Sequence, residues 1–342
     1  MTSLLSELPK LSLSDQQRQQ KVVDRVSSLV ISDDAQKRIQ NIFVEEMTLG
    51  LTENPTRISS LLMENTYVPQ LPDGKEHGKY MALDLGSTNF RVLMVTYDKG
   101  VPTNELVDHY HIPDKTRLGP GEDLFDFLAR CISDFLSKHN IEANGMKLGF
   151  CFSFPMNNKA INVGILSKWT KSFNCAGVEG NDAAKMLNEA IVRENLNISA
   201  NCILNDTTGT LVQGASIDSR CAMGIIFGTG NNGAYIEKTE NIEKFKGKSN
   251  ETHVIIDIEW GAFGDNGVLD FVRTEWDNKV DQQSLFPKSF TFEKYVGGKF
   301  LGDIVREVLL SLAEEGLFGN GVSEKLKTFQ SLTANHVGEI EK

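Results

Sequence analysis

The order of segments along this chain predicts an α/β protein, because short apolar runs repeatedly precede amphipathic helical stretches. Two further observations bear on the class. Apolar runs ending in turns of glycine, acid and small hydroxyl residues recur three times. No run of about 18 apolar residues occurs anywhere, so no membrane span is expected.

At 342 residues the chain is long enough for two or three lobes and a large core. Its 35 Lys and Arg stand against 46 Asp and Glu, a formal net charge of −11. That balance argues against a broad nucleic-acid or acidic-membrane surface, although a local phosphate site needs only backbone N–H groups and a few cations. Five cysteines (Cys131, Cys151, Cys175, Cys202 and Cys221) show no CxxC spacing and mostly lie in apolar contexts. They read as reduced core residues of a cytosolic protein, with no metal cage. The first twenty residues hold no sustained apolar stretch, so secretion is not expected.

Taken in order, residues 1–13 read as a flexible arm. Ser14 caps a first helix carrying Val22, Val23, Val26 and Leu29 on one side. A second helix, with Ile39, Ile42, Phe43 and Met47 at helical spacing, runs from about Asp33 to Leu51. Asn54-Pro55 ends it, and a linker follows to Glu76. A hairpin of two strands meets at Gly86–Asn89, and a break falls at Gly119-Pro120-Gly121. Asp123–His139 is amphipathic, with Leu124, Phe127, Leu128, Ile132, Phe135 and Leu136 on its buried side. Lys147–Phe154 reads as a buried strand, and Asn181 as the cap of a helix ending at Arg193. Strands at 201–204 and 223–227 bracket a helical segment, and residues 238–252 form a polar surface loop. From Phe292 the chain is helical, with Phe300, Leu301, Ile304, Val305, Val308, Leu309 and Leu312 on one face.

The three turns carry the chemistry. In YMALDLGSTNFRVLMVTY the apolar run stops at Asp84, and Gly86, Ser87, Thr88 and Asn89 form a compact polar turn before Phe90. Such a turn brings N–H groups close to an anion. Asp84 is placed to hold a hydrated Mg²⁺, and Thr88, Asn89 and Arg91 to address phosphate oxygens. Read alone, the segment is equally an ordinary hairpin. Asn205-Asp206-Thr207-Thr208-Gly209-Thr210 and Gly228-Thr229-Gly230-Asn231-Asn232-Gly233 repeat the grammar, which suggests a phosphate tail held between two lobes.

Six segments in order, LDLGSTNFRVLMV, LGFCFSFP with LSKWTKSF, ILNDTTGTL, IIFGTGNNGAYIE, IEWGAFGD and FEKYVGGKFLGDIVR, resemble the eukaryotic hexokinases from about residue 15 to the end. The resemblance implies a two-lobe actin-like ATPase (ribonuclease H-like) fold of mixed sheets flanked by helices. It also implies an N-terminal unit over 14–212 and a C-terminal, large-lobe unit over 216–342. The implied activity is ATP-dependent phosphorylation of D-glucose and related hexoses at the 6-hydroxyl, the first step of glycolysis. The expected partners are ATP, Mg²⁺ and a hexose, with no nucleic acid and no membrane span. The protein is expected in the cytosol, as monomer or homodimer.

Carried over residue by residue, the resemblance makes Asp206 the base that takes the 6-hydroxyl proton, and Lys171 a cation beside the transferred phosphoryl group. Without it, Asp206 reads equally as a helix cap. The hexose contacts are Ser153, Thr170, Lys171, Asn205, Asp206, Asn232, Glu259 and Glu293. A sugar's hydroxyls both donate and accept, so amides and carboxylates suit it. Ser153, between two phenylalanines, demands a partner, and an acid at Glu259 beside a buried strand needs a reason to be there. Glu293 alone is a first-turn helix acid, and Lys299 alone a solvated helix lysine. The nucleotide positions are Asp84, Gly86, Ser87, Thr88, Asn89, Arg91, Gly228, Thr229, Gly230 and Lys299. Mg²⁺ is expected on the phosphates, bridged by water to Asp84 and Asp206 rather than caged by protein.

The pattern departs at three places. Ser87 stands where hexokinases usually have glycine, which strains the turn by roughly 1–2 kcal/mol if φ is positive there. Asn231 stands where threonine is usual. Hexokinases also continue past the position of Lys342, into a glycine- and serine-containing adenosine-binding motif, so the large lobe is expected to be incomplete and ATP affinity poor. A hexose sensor without turnover is the alternative function these departures raise.

Overall fold

The computed structural model describes residues 14–86, 89–170, 173–245, 251–318 and 321–340. The expected arm at 1–13 therefore lies outside the described residues. Helix α1 (Asp15–Val26) starts at Ser14, whose hydroxyl accepts from the Gln17 N–H while Gln17 reaches back to the Ser14 N–H. Helix α2 (Asp33–Leu51) follows, and Ile39, Ile42, Phe43 and Met47 pack into a core as their spacing predicts. The expected linker after it is a correction. Leu61 and Met63 are buried, and β1 (Glu64–Asn65) joins a sheet. Two residues are too few to show alternation, and what makes them a strand is a distant partner near Asp257.

Strands β2 (Gly78–Leu85), β3 (Asn89–Asp98) and β4 (Val101–His111) form an antiparallel meander. The hairpin is the expected one; the eleven-residue β4, exposed along most of its length, carries too little apolar alternation to be legible. After the short α3 (Asp114–Arg117), α4 (Gly121–Lys138) buries Leu124, Leu128, Ile132, Phe135 and Leu136. Strand β5 (Met146–Phe152) adds in parallel to β2, the hairpin β6 (Met156–Ala160) and β7 (Val163–Leu166) follows, and α5 (Ala183–Arg193) covers the sheet. Its cap is Asp182, one residue beyond the expected Asn181, with the carboxylate accepting from the Ala184 N–H. Strand β8 (Ile198–Leu204) completes a mixed five-stranded sheet in the order β4-β3-β2-β5-β8.

Helix α6 (Asp206–Ile217) then leads into the second sheet, formed by β9 (Met223–Phe227), β10 (Asn231–Lys238) and β11 (His253–Asp257) with β1. This sheet, in the order β1-β11-β10-β9, is antiparallel throughout. β9 is its edge, and it leaves Met223, Ile225 and Phe227 exposed. Residues 238–252 were expected to be a polar surface loop, yet Ile242 and Phe245 within it are buried.

Helices α7 (Glu275–Gln283), α8 (Thr291–Val296) and α9 (Gly298–Glu314) follow, then the short α10 (Glu324–Lys327) and α11 (Ala334–Ile340). The apolar stripe expected on α9 is only partly covered, and Leu301 is exposed. The helix instead buries Asp303, Arg306 and Glu307, joined by ion pairs and reached by Gln283 and the Gln330 N–H. Packing against α7 and the 324–340 segment on two sides turns the polar stripe inward, which periodicity cannot foresee.

Two cores result. One lies around the five-stranded sheet, and the other joins α2 and residues 61–63 to β11 and Phe263. The chain thus enters the second core before it builds the first. Helix α6 touches β5 on one side and β9, β10 and β11 on the other, so its first turn stands between the sheets. The approach is close. A Cβ on Gly224 of β9 would lie 2.6 Å from the Leu211 nitrogen of α6.

Candidate active site

The cleft between the sheets holds a cavity of about 210 Å³. Ser153 and Thr170 line it from the first lobe. Asn205 and Asp206 line it from the head of α6, and Asn232, Glu259 and Glu293 from the second lobe. Gly86, Thr229 and Gly230 stand on the same walls, so both families of expected contacts converge here.

Each side chain is placed by its neighbours. Ser153 is buried between Phe152 and Phe154, in an aromatic block with Trp169 and Phe173. The Trp169 indole N–H donates to the Cys175 carbonyl at 2.9 Å, which fixes the stretch leading to Thr170. Burying rings of this size contributes about 2–3 kcal/mol each, enough to hold a short polar stretch in one conformation. Asn205 caps α6 by accepting from the Thr207 N–H at 2.8 Å, and its amide N–H donates to Glu259 at 3.4 Å. The helix-cap role expected as the bland reading of this pair therefore belongs to Asn205. Asp206 is the first residue of α6, and its carboxylate accepts from the Thr207 hydroxyl at 3.4 Å.

Glu259 follows β11 with φ 55°, a left-handed conformation costing about 1–2 kcal/mol for a residue with a Cβ. Phe290, also on the cavity wall, has φ 59°. Strain at two wall residues is maintained only because surrounding packing fixes them. Glu293, in the first turn of α8, accepts the Asn231 N–H at 3.2 Å. A Cβ on Gly230 would come within 2.3 Å of the Glu293 carboxylate, so glycine is what lets that carboxylate lie against the turn.

The nucleotide-side positions are held differently. Asp84 pairs with Arg91 across the β2–β3 hairpin, and the Gly86 N–H donates to the Asn89 carbonyl at 3.0 Å to close the turn. In the second turn the Gly228 N–H donates to the Gly230 carbonyl at 2.9 Å. The first N–H groups of α9, from Gly298 and Lys299, donate to the Gly228 and Thr229 carbonyls at 2.9 and 3.0 Å. Lys299 lies outside the main cavity. Its side chain lines a smaller one of about 30 Å³ with Thr170, Phe290 and Glu293, and burial lowers its pKa against the opposing pull of Glu293. It is neither a solvated lysine nor a wall of the main cavity.

Lys171, Ser87 and Thr88 lie outside the described residues, so the expected catalytic cation and the strain expected at Ser87 have no structural counterpart here. Among the described residues no group of three or more His, Cys, Asp or Glu is arranged to hold a metal ion. The separate carboxylates Asp84 and Asp206 fit an ion that arrives on phosphates and is bridged by water. Asn231 is buried, and neither polar atom of its side chain has a hydrogen-bond partner among the described residues.

One residue at the site was missed. Asp257, on β11, is buried beneath the cavity wall and accepts from the Asn232 amide at 2.7 Å. The signal was present as a second acid in the apolar run 254–258, two positions before Glu259.

Two family models, each described as hexokinase, match residues 21–216 and 222–342. This chain belongs to the hexokinase family. The hexokinase of Schistosoma mansoni is 39% identical over 331 residues, covering 96% of this chain and 73% of that protein. Hexokinase-2 of Homo sapiens and hexokinase-1 of Mus musculus are each 39% identical and share 96% of this chain, but 36% and 34% of their own lengths. The chain thus spans about a third of the mammalian relatives it matches. A solved Schistosoma mansoni hexokinase complexed with glucose superimposes with a TM-score of 0.91 at 38% identity, over 96% of this chain and 74% of that one. The hexokinase fold, an actin-like two-lobe arrangement with the cleft at its centre, is therefore shared. Among the described residues no helix is long and apolar enough to cross a membrane.

Proposed function

We propose that this protein phosphorylates D-glucose and related hexoses at the 6-hydroxyl, using ATP. The observation that carries the reading is the cavity itself. It gathers Asn205, Asp206, Asn232, Glu259 and Glu293 on one side and Gly86, Thr229 and Gly230 on the other. That is an acceptor-rich pocket for a polyol facing two small-residue turns for phosphates. The glucose complex of the schistosome relative supports the choice of sugar.

In this mechanism Glu259, Glu293 and the two asparagines hold the hexose by hydrogen bonds that tie its orientation to the wall. Asp206 accepts the 6-hydroxyl proton as the oxygen attacks phosphorus, a contribution of about 10²–10⁴ in rate. Backbone N–H groups of the Thr229-Gly230 turn donate to the phosphate oxygens, the small Gly86 leaves room for them, and Lys171 adds positive charge beside the transferred group. Mg²⁺ supplies charge neutralisation on the phosphates when bound. Closing of the cleft around the sugar excludes water, a smaller competitor for the phosphoryl group. Free cysteines throughout the described residues fit a cytosolic setting, reducing as it is.

The test is a coupled assay of glucose-dependent ADP release beside calorimetric glucose titration. Sugar-dependent release together with saturable binding supports the kinase. Binding without ADP in folded protein supports the second reading, a hexose-binding regulatory protein, which the exposure of Gly228 and Thr229 favours. No binding of either kind overturns both. Glucose is expected to protect the chain from proteolysis better than galactose.

A further inference from the structure

One segment of the second lobe reaches the first beside the cavity. Residues 284–290 join α7 to α8, and the chain around them ties them down at several points. The Lys294 ammonium, on a side chain that is buried, donates to Asp281 and to the Phe286 carbonyl, the latter at 2.7 Å. The Lys288 N–H donates to Asp281 at 3.0 Å, and the Phe290 N–H to Asp265 at 3.0 Å. A loop bonded in this way holds its side chains in fixed directions.

The Phe286 ring meets Lys168 of the first lobe, whose ammonium lies 4.1 Å from the ring centroid. Both residues are half-buried. Among the described residues no carboxylate pairs with that ammonium, so the ring is its partner. The mount on the first lobe is equally firm. The Ser167 N–H donates to the Pro155 carbonyl at 2.9 Å, and the Trp169 N–H to Glu179 at 2.7 Å. Two fixed mounts joined by this contact set the spacing of the lobes along that rim. Thr170, two residues past Lys168, and Phe290, four past Phe286, both border the hexose cavity. They also share the smaller cavity beside it with Phe286.

We propose that Lys168 and Phe286 are positioning residues for the hexose: their cation–π contact latches the two lobes and holds Thr170 and Phe290 at the spacing that retains the sugar. The assignment rests on the hexose reading above. A cation over an aromatic face is attracted by the ring quadrupole, more strongly where both are partly withdrawn from water. Opening the cleft carries Lys168 and Thr170 away from residues 284–290, so the contact breaks each time a sugar leaves. Neither Lys168 nor Phe286 borders the main cavity, so the latch acts on retention and leaves proton and phosphoryl transfer to other groups.

The experiment compares wild type with Lys168→Gln, Phe286→Leu and the double variant on the intact chain. Glucose affinity is read by calorimetry and release by stopped flow. Each single substitution is expected to weaken glucose about fivefold, mostly through faster release, while the double variant loses no more than either alone. Turnover at saturating glucose should fall by less than about twofold, an effect on KM without one on kcat. Lys168→Arg and Phe286→Tyr each rebuild a cation over a ring and should stay within about twofold of wild type. Losses that add in the double variant, an equal fall in kcat, or failure of the two conservative variants to bind overturns the proposal. If wild type itself binds no glucose, the hexose reading falls and the latch falls with it. Wild-type binding that every substitution leaves unchanged sinks the latch alone.

Discussion

The two sides of the cleft are built by different means. On the side proposed for the hexose, Ser153, Asn205, Asn232 and Glu259 are all buried and locked by side-chain hydrogen bonds and aromatic packing. On the side proposed for phosphates, Gly228 and Thr229 are exposed, and the turn is held through backbone N–H groups of α9. One side is specified by side chains behind side chains, the other by glycine and chain geometry. A polyol needs fixed donors and acceptors at several points, whereas a phosphate needs only N–H groups converging on one.

If that contrast is right, substitutions should separate along it. Asp206→Asn, which removes the base while keeping size, is expected to lower turnover by about 10²–10⁴ in the coupled assay, with glucose affinity little changed. Glu259→Ala strikes the most interlocked hexose contact. Losing a charge-assisted acceptor and leaving Asn205 unpaired should weaken glucose binding by about 2–3 kcal/mol, read by calorimetry as a thirtyfold or greater loss. Gly230→Ala joins the two sides, because its Cβ would lie 2.3 Å from Glu293. It should raise the KM for both hexose and ATP about tenfold. Gly228→Ala, with nothing within 4 Å of the new Cβ, should change either by less than threefold. Arg91→Ala only releases Asp84 from a partly exposed pair and should shift the ATP KM a few-fold with no effect on glucose. Equal effects of Gly228→Ala and Gly230→Ala on both substrates would erase the distinction.

The same contrast explains what the sequence made legible. The proposed phosphate turns stand out only together, because Asp84-Leu85-Gly86 alone reads equally as a hairpin and it is the recurrence at Asn205-Asp206 and Gly228-Thr229-Gly230 that suggests a phosphate tail. Asn205-Asp206 was readable too, although its division of labour, with Asn205 capping and Asp206 facing the cavity, emerged only from the structure. The hexose side came mostly from the resemblance, since Thr170, Asn232 and Glu293 carry no local signature. Asp257 was not singled out, because its partner Asn232 lies on another strand and the pairing is visible only in the fold.

Fold legibility followed the range of the interactions. Helices α2 and α4 and the β2–β3 hairpin are set by local periodicity and were read closely. β1, at Glu64–Asn65, exists because Asp257 and Ile256 pair with it from nearly two hundred residues away. The polar core of α9, at Asp303, Arg306 and Glu307, depends on elements on both sides of that helix. Neither can be read from a window of sequence.

The most direct test of the central claim is a crystal structure of this chain with glucose. The account predicts the ring in the cavity, its hydroxyls bonded to Asn205, Asn232, Glu259 and Glu293, and its 6-hydroxyl within about 3 Å of the Asp206 carboxylate. Glucose bound elsewhere, or seated with its 6-hydroxyl turned away from Asp206, would contradict it.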